Sequence, residues 1–223
     1  MEKKIILDSI TQLNHNVVHL VCQKPAEYHF TPGQATEVAL AKPEWKDEKR
    51  PFTFTSLPDS EALEFVIKSY PAHDGVTEQI PPLEPGDALL IGDAWGAIEY
   101  KGPGVFIAGG AGVTPFIAIL RDLAEKGKTK GNKLLFANKK EHDIFYAAHF
   151  ESWLGENFVN ILSEEKTDVY AHGRIDRDFL ESQTDTLDQY FYVCGPPEMI
   201  EDVVGYLKDM GVKKDKIITE DMD

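Results

Sequence analysis

The stretch 105–115, VFIAGGAGVTP, joins an apolar run to three glycines, a threonine and a proline. The apolar run is typical of a buried strand, Thr114 can cap a following helix, and Pro115 suits its first position. Such a turn attracts phosphate, because the free backbone amides and the positive end of the helix dipole both point into it. Glycine has no side chain, so an anion can approach the backbone closely. Gly110, Gly112 and Pro115 give G-x-G-x-x-P rather than the usual G-x-G-x-x-G, so an ordinary glycine-rich turn stays open as the alternative.

A second stretch, 50–56 (RPFTFTS), places an arginine before alternating aromatic and hydroxyl residues. A guanidinium suits a pyrophosphate, and an aromatic ring suits a flat cofactor. By the two-residue period of a strand, Phe52 and Phe54 share one face, and the alternative is that both are core residues. For Phe54 we expect the core.

This second stretch resembles the flavin-binding motif R-x-Y-[ST] of the ferredoxin-NADP reductase superfamily, and the following SLPD and the strand 63–67 continue the likeness. The resemblance implies that Arg50 holds the flavin diphosphate and that Phe52 stacks on the ring in place of tyrosine. It also implies that Thr53 hydrogen-bonds near the hydride-accepting nitrogen. Strict strand alternation turns Thr53 away from Phe52, so Thr53 must reach the flavin through a local twist or its backbone amide.

Two glycine-containing segments are also similar to this superfamily. The segment Asp74 to Thr77 looks like its second phosphate site, which implies that Gly75, Val76 and Thr77 bind the flavin phosphates. A plain helix cap is the alternative for Thr77. The glycine turn looks like the nicotinamide-side pyrophosphate loop, in which proline after threonine or alanine is familiar. The residues that this implies for the cofactor are Gly110, Gly112, Thr114 and Pro115.

The last third of the chain carries two further likenesses. The stretch 193–199 (VCGPPEM) is similar to the superfamily's C-G-P-x-x-M, which implies that Cys194, Gly195 and Pro196 border the nicotinamide. The alternative for Cys194 is a small buried residue. In the closing TEDMD, Glu220 matches an acidic residue near the active site, whereas Met222 stands where an aromatic residue covers the flavin. Thr53, Cys194 and Glu220 are therefore the catalytic candidates.

Basic residues that hold the ribose phosphate of NADPH in this superfamily have partial counterparts here. Lys139 and Arg174 are the candidates, but Glu164 and Glu165 stand where an arginine is expected. A carboxylate repels a phosphate dianion and accepts hydrogen bonds from ribose hydroxyls. We therefore expect NAD(P)H as the substrate, with NADH favoured over NADPH.

The elements that must position these residues change in kind at KGPG, residues 101–104. Before it, short strands between turn signals predict a small antiparallel barrel, which the resemblance makes a Greek-key FAD-binding domain over 1–101. After it, alternating strands and helices predict an α/β NAD(P)-binding domain with a parallel sheet over 102–223. The predicted strands are 17–22, 35–40, 52–56, 63–70, 87–91, 97–100, 105–108, 134–137, 158–162, 191–194 and 216–218. The predicted helices are 115–126, 146–154, 176–181 and 197–210.

Composition limits the partners. The chain has 223 residues, 42% of them apolar, and a formal charge of -15, so nucleic acid and anionic membranes are excluded as expected partners. Lys42, Lys46, Lys49 and Arg50 could form a local basic patch for an acidic partner. The alternative for the three lysines is that they lie in a solvated loop. No apolar run approaches the roughly 18 residues of a membrane span, and no secretion signal is visible at the start, so we expect a cytoplasmic protein.

Metal ligands show no local pattern. Cys22 and Cys194 lie far apart and neither belongs to a C-x-x-C pair. The seven histidines include no H-E-x-x-H or comparable spacing. We therefore predict no zinc site and no cysteine-ligated iron-sulfur cluster.

The functional hypothesis is a flavoenzyme that takes hydride from NAD(P)H onto bound FAD and passes electrons singly to a carrier such as ferredoxin or flavodoxin. FMN stays open, because no adenine-contacting residue can be identified. We expect no appended iron-sulfur domain, and this expectation separates the chain from oxygenase reductases that carry their own cluster. Two alternatives stay open: an accessory or redox-sensing subunit without turnover, and a reductase of free flavin. The sequence does not determine the oligomeric state.

Overall fold

The computed structural model describes residues 2–70 and 75–220, and within them the chain forms two sheets in succession. The first sheet is antiparallel, and its order is β4-β3-β6-β1-β2-β5. A bridge between Phe54 and Phe65 joins its two outer edges, so the sheet is nearly closed into a Greek-key barrel. Its strands are β1 (Lys3–Gln12), β2 (Val17–Gln23), β3 (Ala35–Leu40), β4 (Arg50–Thr53), β5 (Ala62–Lys68) and β6 (Ala88–Ile91).

The barrel is filled by apolar side chains that alternate along these strands. Phe54 is fully buried, with its ring stacked on Phe30 at 4.3 Å and tilted against Phe65 at 5.3 Å. The core position predicted for Phe54 is therefore confirmed.

The second sheet is parallel throughout, in the order β10-β9-β8-β7-β11-β12. Helices cover both of its faces. Its first strand in the sequence, β7, is central and fully buried, and the order of strands reverses between β7 and β11. Ligands of such sheets bind beside the carboxyl ends of the strands at this reversal. The strands are β7 (Gly104–Gly109), β8 (Lys133–Asn138), β9 (Phe158–Leu162), β10 (Ala171–His172), β11 (Tyr190–Cys194) and β12 (Ile217–Thr219). The α-helices are α1 (Thr114–Glu125), α2 (Ala147–Leu154), α3 (Arg177–Gln183) and α4 (Pro197–Asp209).

An apolar cluster runs between the two sheets. Val17, Val66 and Ile98 are buried in the same cluster as Phe116 and Ile117 of α1. The barrel and the parallel sheet therefore pack directly on each other, and the carboxyl ends of β7 and β11 face the barrel.

The predicted fold class is confirmed, and all four predicted helices lie within two residues of the observed ones. The strand predicted over 97–100 is wrong: Ile98 and Tyr100 pack into the cluster between the sheets, and it is Trp95 that bridges to Ala35. β1 was not predicted, because a bulge between Leu7 and Ser9 breaks its inward alternation. β10 also escaped prediction, since two residues carry no readable period.

Two local expectations also change. The strand expected over 52–56 is observed as β4, which ends at Thr53. Thr114 does not cap α1: it is the first helical residue, the cap position is Val113, and the Thr114 hydroxyl donates to the Ala111 carbonyl at 3.0 Å. The domain boundary at 101/102 stays a prediction; it lies between the end of β6 and the start of β7.

Within the described residues, no helix has the length and apolar character needed to cross a bilayer.

Candidate active site

A cleft of about 980 Å³ lies between the barrel and the parallel sheet. Both sheets contribute to its wall. The barrel side includes Phe52, Thr53, Lys68 and Thr77. The opposite side includes Gly109, Ala111, Gly112, Thr114, Cys194, Gly195, Pro196 and Glu220. The three catalytic candidates, one from the barrel and two from the parallel sheet, thus meet at one cleft.

On the barrel side, Phe52 and Thr53 both line the cleft although they are neighbours in β4. Strict alternation would turn them to opposite faces, but β4 ends at Thr53, so alternation no longer dictates where Thr53 faces. Arg50, at the start of the same strand, is half exposed and lies against its own loop. Its Nη1 donates to the Lys49 carbonyl at 2.7 Å, and its Nη2 lies 3.6 Å from a Glu48 oxygen.

The second predicted phosphate segment is divided between core and cleft. Gly75 precedes a 3-10 helix, Val76–Gln79. Thr77 lines the cleft, whereas the Val76 side chain is buried in the barrel core and can offer a ligand only its backbone. Asp74 lies outside the described residues.

The glycine turn follows β7 as a 3-10 helix, Gly110–Val113, and leads directly into α1. Gly110 has φ +52°, a left-handed conformation that glycine adopts without strain. Gly112 is required for space instead, because an added Cβ would lie 2.4 Å from the Cys194 carbonyl oxygen. Pro115 is buried in the first turn of α1, so it stabilises the start of the helix that follows the glycine turn.

At the end of β11, the Cys194 thiol donates to Glu220 Oε1 at 3.3 Å. Burial raises the pKa of Cys194 well above its usual value, and the neighbouring Glu220 carboxylate raises it further. The thiol is therefore protonated at neutral pH and acts as a hydrogen-bond donor. Gly195 and Pro196 continue the wall from this point.

The residues proposed to read the ribose lie at the same edge of the parallel sheet, beyond the ends of β8, β9 and β10. Lys139 Nζ is 3.0 Å from Glu164 Oε1, and this hydrogen bond raises the pKa of Lys139. Glu165 accepts a hydrogen bond from the Glu141 backbone at 2.7 Å. Arg174 is exposed, just after β10. The structure thus brings Lys139 together with Glu164 rather than with Arg174.

Sequence reasoning missed several residues of the cleft, among them Lys68 at the end of β5, Tyr70 just after it, and Trp95. Tyr70 and Trp95 are nearly half exposed, at 44% and 47%, which is high for aromatic side chains. The sequence carried a signal for Trp95: a tryptophan next to Gly96 in a turn is poorly placed to pack into the hydrophobic core. Lys68 carried no local signal.

The cleft suits a flavin dinucleotide. Phe52, Tyr70 and Trp95 offer ring surfaces to a flat heterocycle. A Cβ added at Gly110 would lie 3.9 Å from Lys68 Nζ. The glycine turn of the parallel sheet and the Lys68 ammonium group of the barrel therefore lie close together. A diphosphate is the kind of group that such a combination binds.

Comparison with known families agrees with this chemistry. Residues 3–81 match the family described as FAD-binding domain, and residues 106–205 match the family described as oxidoreductase NAD-binding domain. The chain belongs to the ferredoxin-NADP reductase superfamily. The barrel is its FAD-binding domain, and the parallel sheet with its helices is its NAD-binding domain.

Individual members of the superfamily are distant in sequence. The reductase component of propane 2-monooxygenase from Mycolicibacterium goodii is 26% identical over 87% of this chain and 59% of its own length. NADH-cytochrome b5 reductase 2 from Mycosarcoma maydis is 28% identical over 89% of this chain and 63% of its own length. A ferredoxin NADP+ reductase from Neisseria gonorrhoeae, solved with FAD and NADP, shares the fold with a TM-score of 0.84 at 18% identity, over 98% of both chains. The chain thus spans about three fifths of the length of these two curated relatives.

Proposed function

We propose that this chain is an NAD(P)H-dependent flavoprotein reductase that transfers a hydride from NADH to bound FAD and passes the electrons to a redox partner. The observation that carries the proposal is the cleft in which Phe52 and Thr53 of the FAD-binding domain face Gly112 and Cys194 of the NAD-binding domain. Holding two rings in contact removes most of the entropic cost of the reaction between them. For the domains we propose the bounds 1–101 and 102–223.

The barrel would hold the flavin. Bound FAD supplies the redox chemistry, since it accepts two electrons together and releases them one at a time. Phe52 gives the flavin ring an apolar surface, and Thr53 offers a hydroxyl and a backbone amide at the end of β4. Arg50 would exchange its contact with Glu48 for the flavin diphosphate, a stronger partner for a guanidinium because two phosphates carry more charge. Gly75, Val76 and Thr77 would offer backbone and hydroxyl groups to the same diphosphate.

The NAD-binding domain would hold the nicotinamide nucleotide. Gly110, Gly112 and Thr114 form the turn that receives its pyrophosphate, and Pro115 fixes the start of α1 behind that turn. Cys194, Gly195 and Pro196 border the nicotinamide. As a hydride leaves, positive charge develops on that ring, and the Glu220 carboxylate beside Cys194 stabilises it electrostatically. The Cys194 thiol keeps its proton and orients Glu220.

NADH is the proposed nucleotide because of the ion pair between Lys139 and Glu164. A 2′-phosphate would meet the Glu164 carboxylate at the place where Lys139 would bind it, 3.0 Å from that carboxylate. Ribose hydroxyls can instead donate to Glu164. Arg174 lies beyond β10 and remains a candidate for the same nucleotide.

This choice predicts the effect of Glu164→Arg. The substitution removes the repulsive carboxylate and adds a phosphate ligand, so we expect kcat/KM with NADPH relative to NADH to rise at least about tenfold. Steady-state rates with an artificial acceptor measure it, and Glu156→Arg, at an exposed position after α2, is the matched control. A strong preference of the unmutated chain for NADPH would refute the argument from Glu164.

The acceptor is proposed to be a redox protein, with ferredoxin or flavodoxin as the first candidates. The propane 2-monooxygenase relative is named a reductase component, which makes an oxygenase component a further candidate. The charge of -15 opposes the approach of a strongly acidic partner at low salt. Reduction rates of a panel of acidic and basic carriers at two ionic strengths therefore identify the class.

The central test is reduction of bound flavin. The untagged chain is saturated with FAD, freed of excess by gel filtration, and mixed anaerobically with NADH while the flavin absorbance is followed. Retained FAD that bleaches rapidly supports the proposal. Retained flavin that NADH cannot reduce indicates the accessory-subunit alternative, and flavin lost during filtration indicates a reductase of free flavin. A chain that gains no flavin spectrum on addition of FAD or FMN refutes the proposal.

A further inference from the structure

Three potential metal ligands from distant parts of the chain meet on the surface beside the joint between the two domains. They are His15, in the turn between β1 and β2, and His142 and Asp143, in the 3-10 turn after β8. Their ligand atoms all lie within 4.8 Å of one another. His15 Nε2 is 3.4 Å and His142 Nε2 is 4.0 Å from the same oxygen, Asp143 Oδ1. The two imidazoles are edge to face, with ring centroids 4.7 Å apart.

The carboxylate at the centre of this cluster is fixed by its surroundings. Asp143 is buried, and its Oδ2 accepts a hydrogen bond from the Lys140 backbone at 3.0 Å, which leaves Oδ1 directed at the imidazoles. The Asp143 carbonyl accepts a hydrogen bond from Asn14 Nδ2 at 3.1 Å, so the turn that carries His15 is tied to the turn that carries Asp143. Hydrogen bonds of this kind orient metal-binding carboxylates in known sites.

The two histidines have the freedom to complete the geometry. Their side chains are 48% and 61% exposed, against 10% for Asp143. Tetrahedral zinc, with bonds of about 2.0–2.1 Å to nitrogen and oxygen, places its ligand atoms about 3.3 Å apart. The 3.4 Å separation already matches this spacing, and the 4.0 Å separation closes with a small rotation of an exposed ring.

We propose that His15, His142 and Asp143 bind one Zn²⁺ ion, with water as the fourth ligand, and that the ion fastens the FAD-binding domain to the NAD-binding domain. Two imidazoles and one carboxylate form a ligand set that suits zinc and disfavours magnesium and calcium, which prefer oxygen ligands. The positive charge of Lys139 acts on Asp143 and therefore repels a bound cation. Its ion pair with Glu164 partly neutralises that charge and weakens the repulsion. The site lies apart from the cleft, since none of these three ligands contributes to the described cleft wall.

The test is zinc titration of the untagged full chain after treatment with a chelator and its removal, followed by calorimetry. We expect one Zn²⁺ per chain, and at least tenfold weaker binding for both His15→Gln and His142→Gln. His29→Gln is the matched control, because it removes an exposed histidine elsewhere in the barrel. No binding at low micromolar zinc, or equal binding by the chain and both variants, overturns the site.

Two further measurements test the ligand set and the link between domains. Co²⁺ in place of zinc should give the strong visible absorption of a four-coordinate ion, and that absorption should be lost in His142→Gln. Zinc should raise the midpoint of thermal unfolding of the chain and leave that of His15→Gln unchanged. If His142→Gln loses zinc binding while His15→Gln still binds zinc as the unmutated chain does, the link between domains is overturned. The ion would then be held by the NAD-binding domain alone.

Discussion

The thiol of Cys194 shows how the fold sets the chemistry of a single residue. A cysteine at the edge of a cleft is a candidate nucleophile, but burial and the Glu220 carboxylate raise its pKa well above the usual value. Cys22, inside the barrel, has its pKa raised to about 12, mainly by burial and further by Asp8. Both thiols are therefore protonated at neutral pH, and thiolate chemistry is excluded for both.

This predicts that neither cysteine reacts with iodoacetamide in the folded chain at pH 8, and that both react after denaturation. The measurement is the mass of the protein after timed alkylation, with a cysteine-containing peptide as the reference for an unhindered thiol. Rapid labelling of Cys194 in the folded chain would contradict the assignment of a protonated, hydrogen-bonded thiol.

Phe52 is the second residue whose role is local enough to isolate. It lines the cleft while packing partly against the barrel core. Phe52→Ala removes the ring surface offered to the flavin, and we expect FAD binding to weaken roughly tenfold, or about 1.4 kcal/mol. Flavin fluorescence during titration measures the affinity. Phe52→Tyr, which keeps the ring, is the matched control and should bind FAD as the unmutated chain does; equal affinity of Phe52→Ala would remove Phe52 from the site.

At the scale of elements, the site depends on how closely two segments approach. The glycine turn between β7 and α1 packs against the end of β11, with Gly112 against the Cys194 carbonyl and Gly109 against Met199 and Pro196. Such contacts place the glycine turn and the end of β11 at a fixed separation. Side chains cannot be inserted between them without moving one element.

Gly112→Ala should therefore impair the nicotinamide side alone. The added Cβ, 2.4 Å from the Cys194 oxygen, pushes the turn away from β11, and we expect reduction of bound FAD by NADH to slow at least tenfold with FAD affinity retained. Stopped-flow reduction measures the rate. Gly205→Ala is the matched control, since a Cβ there meets nothing within 4 Å in α4; an equal effect of both variants would refute the steric argument.

At the scale of the whole molecule, the two domains behave as one packed unit. Val17, Val66 and Ile98 share a buried cluster with α1, and each fully buried aliphatic side chain contributes roughly 1.5–3 kcal/mol. At the rim of this joint, Glu64 of β5 lies 3.0 Å from His19 Nε2 and 3.3 Å from Arg121 Nη1 of α1. The contact with His19, more than that with Arg121, lowers the pKa of Glu64.

This joint predicts a pH dependence of stability. A carboxyl group whose pKa is lowered by folding contributes stability above its unfolded pKa, and that contribution is lost as the pH falls through its folded pKa. Glu64→Gln should therefore cost about 1–3 kcal/mol at pH 7 and progressively less below about pH 4. Urea unfolding at a series of pH values measures it.

The matched control for this prediction is Glu125→Gln. Glu125 is paired with the same Arg121 at 3.5 Å but is 59% exposed, so its loss should change the free energy of unfolding by less than about 0.5 kcal/mol. Equal effects of the two substitutions at pH 7 would show that burial of Glu64 at the domain joint adds nothing.

The sequence alone determined the two-domain architecture and the segments that carry the chemistry. Strand alternation, helical period, the glycine turn and the arginine-led strand are local signals, because backbone preferences and side-chain periods act over a few residues. Arg50, Phe52, Gly110 and Gly112 could all be singled out in this way, whereas Cys194 was singled out by its resemblance to the superfamily's C-G-P-x-x-M.

Only the tertiary structure decided which side chains meet. The hydrogen bond between Cys194 and Glu220, the approach of Lys68 to Gly110, and the cluster of His15 with His142 and Asp143 join residues far apart in the chain. The strand expected at 97–100 failed for the same reason, since Ile98 and Tyr100 pack against the second domain. Such contacts depend on how two folded sheets pack together, and no pattern confined to a short window of sequence carries that information.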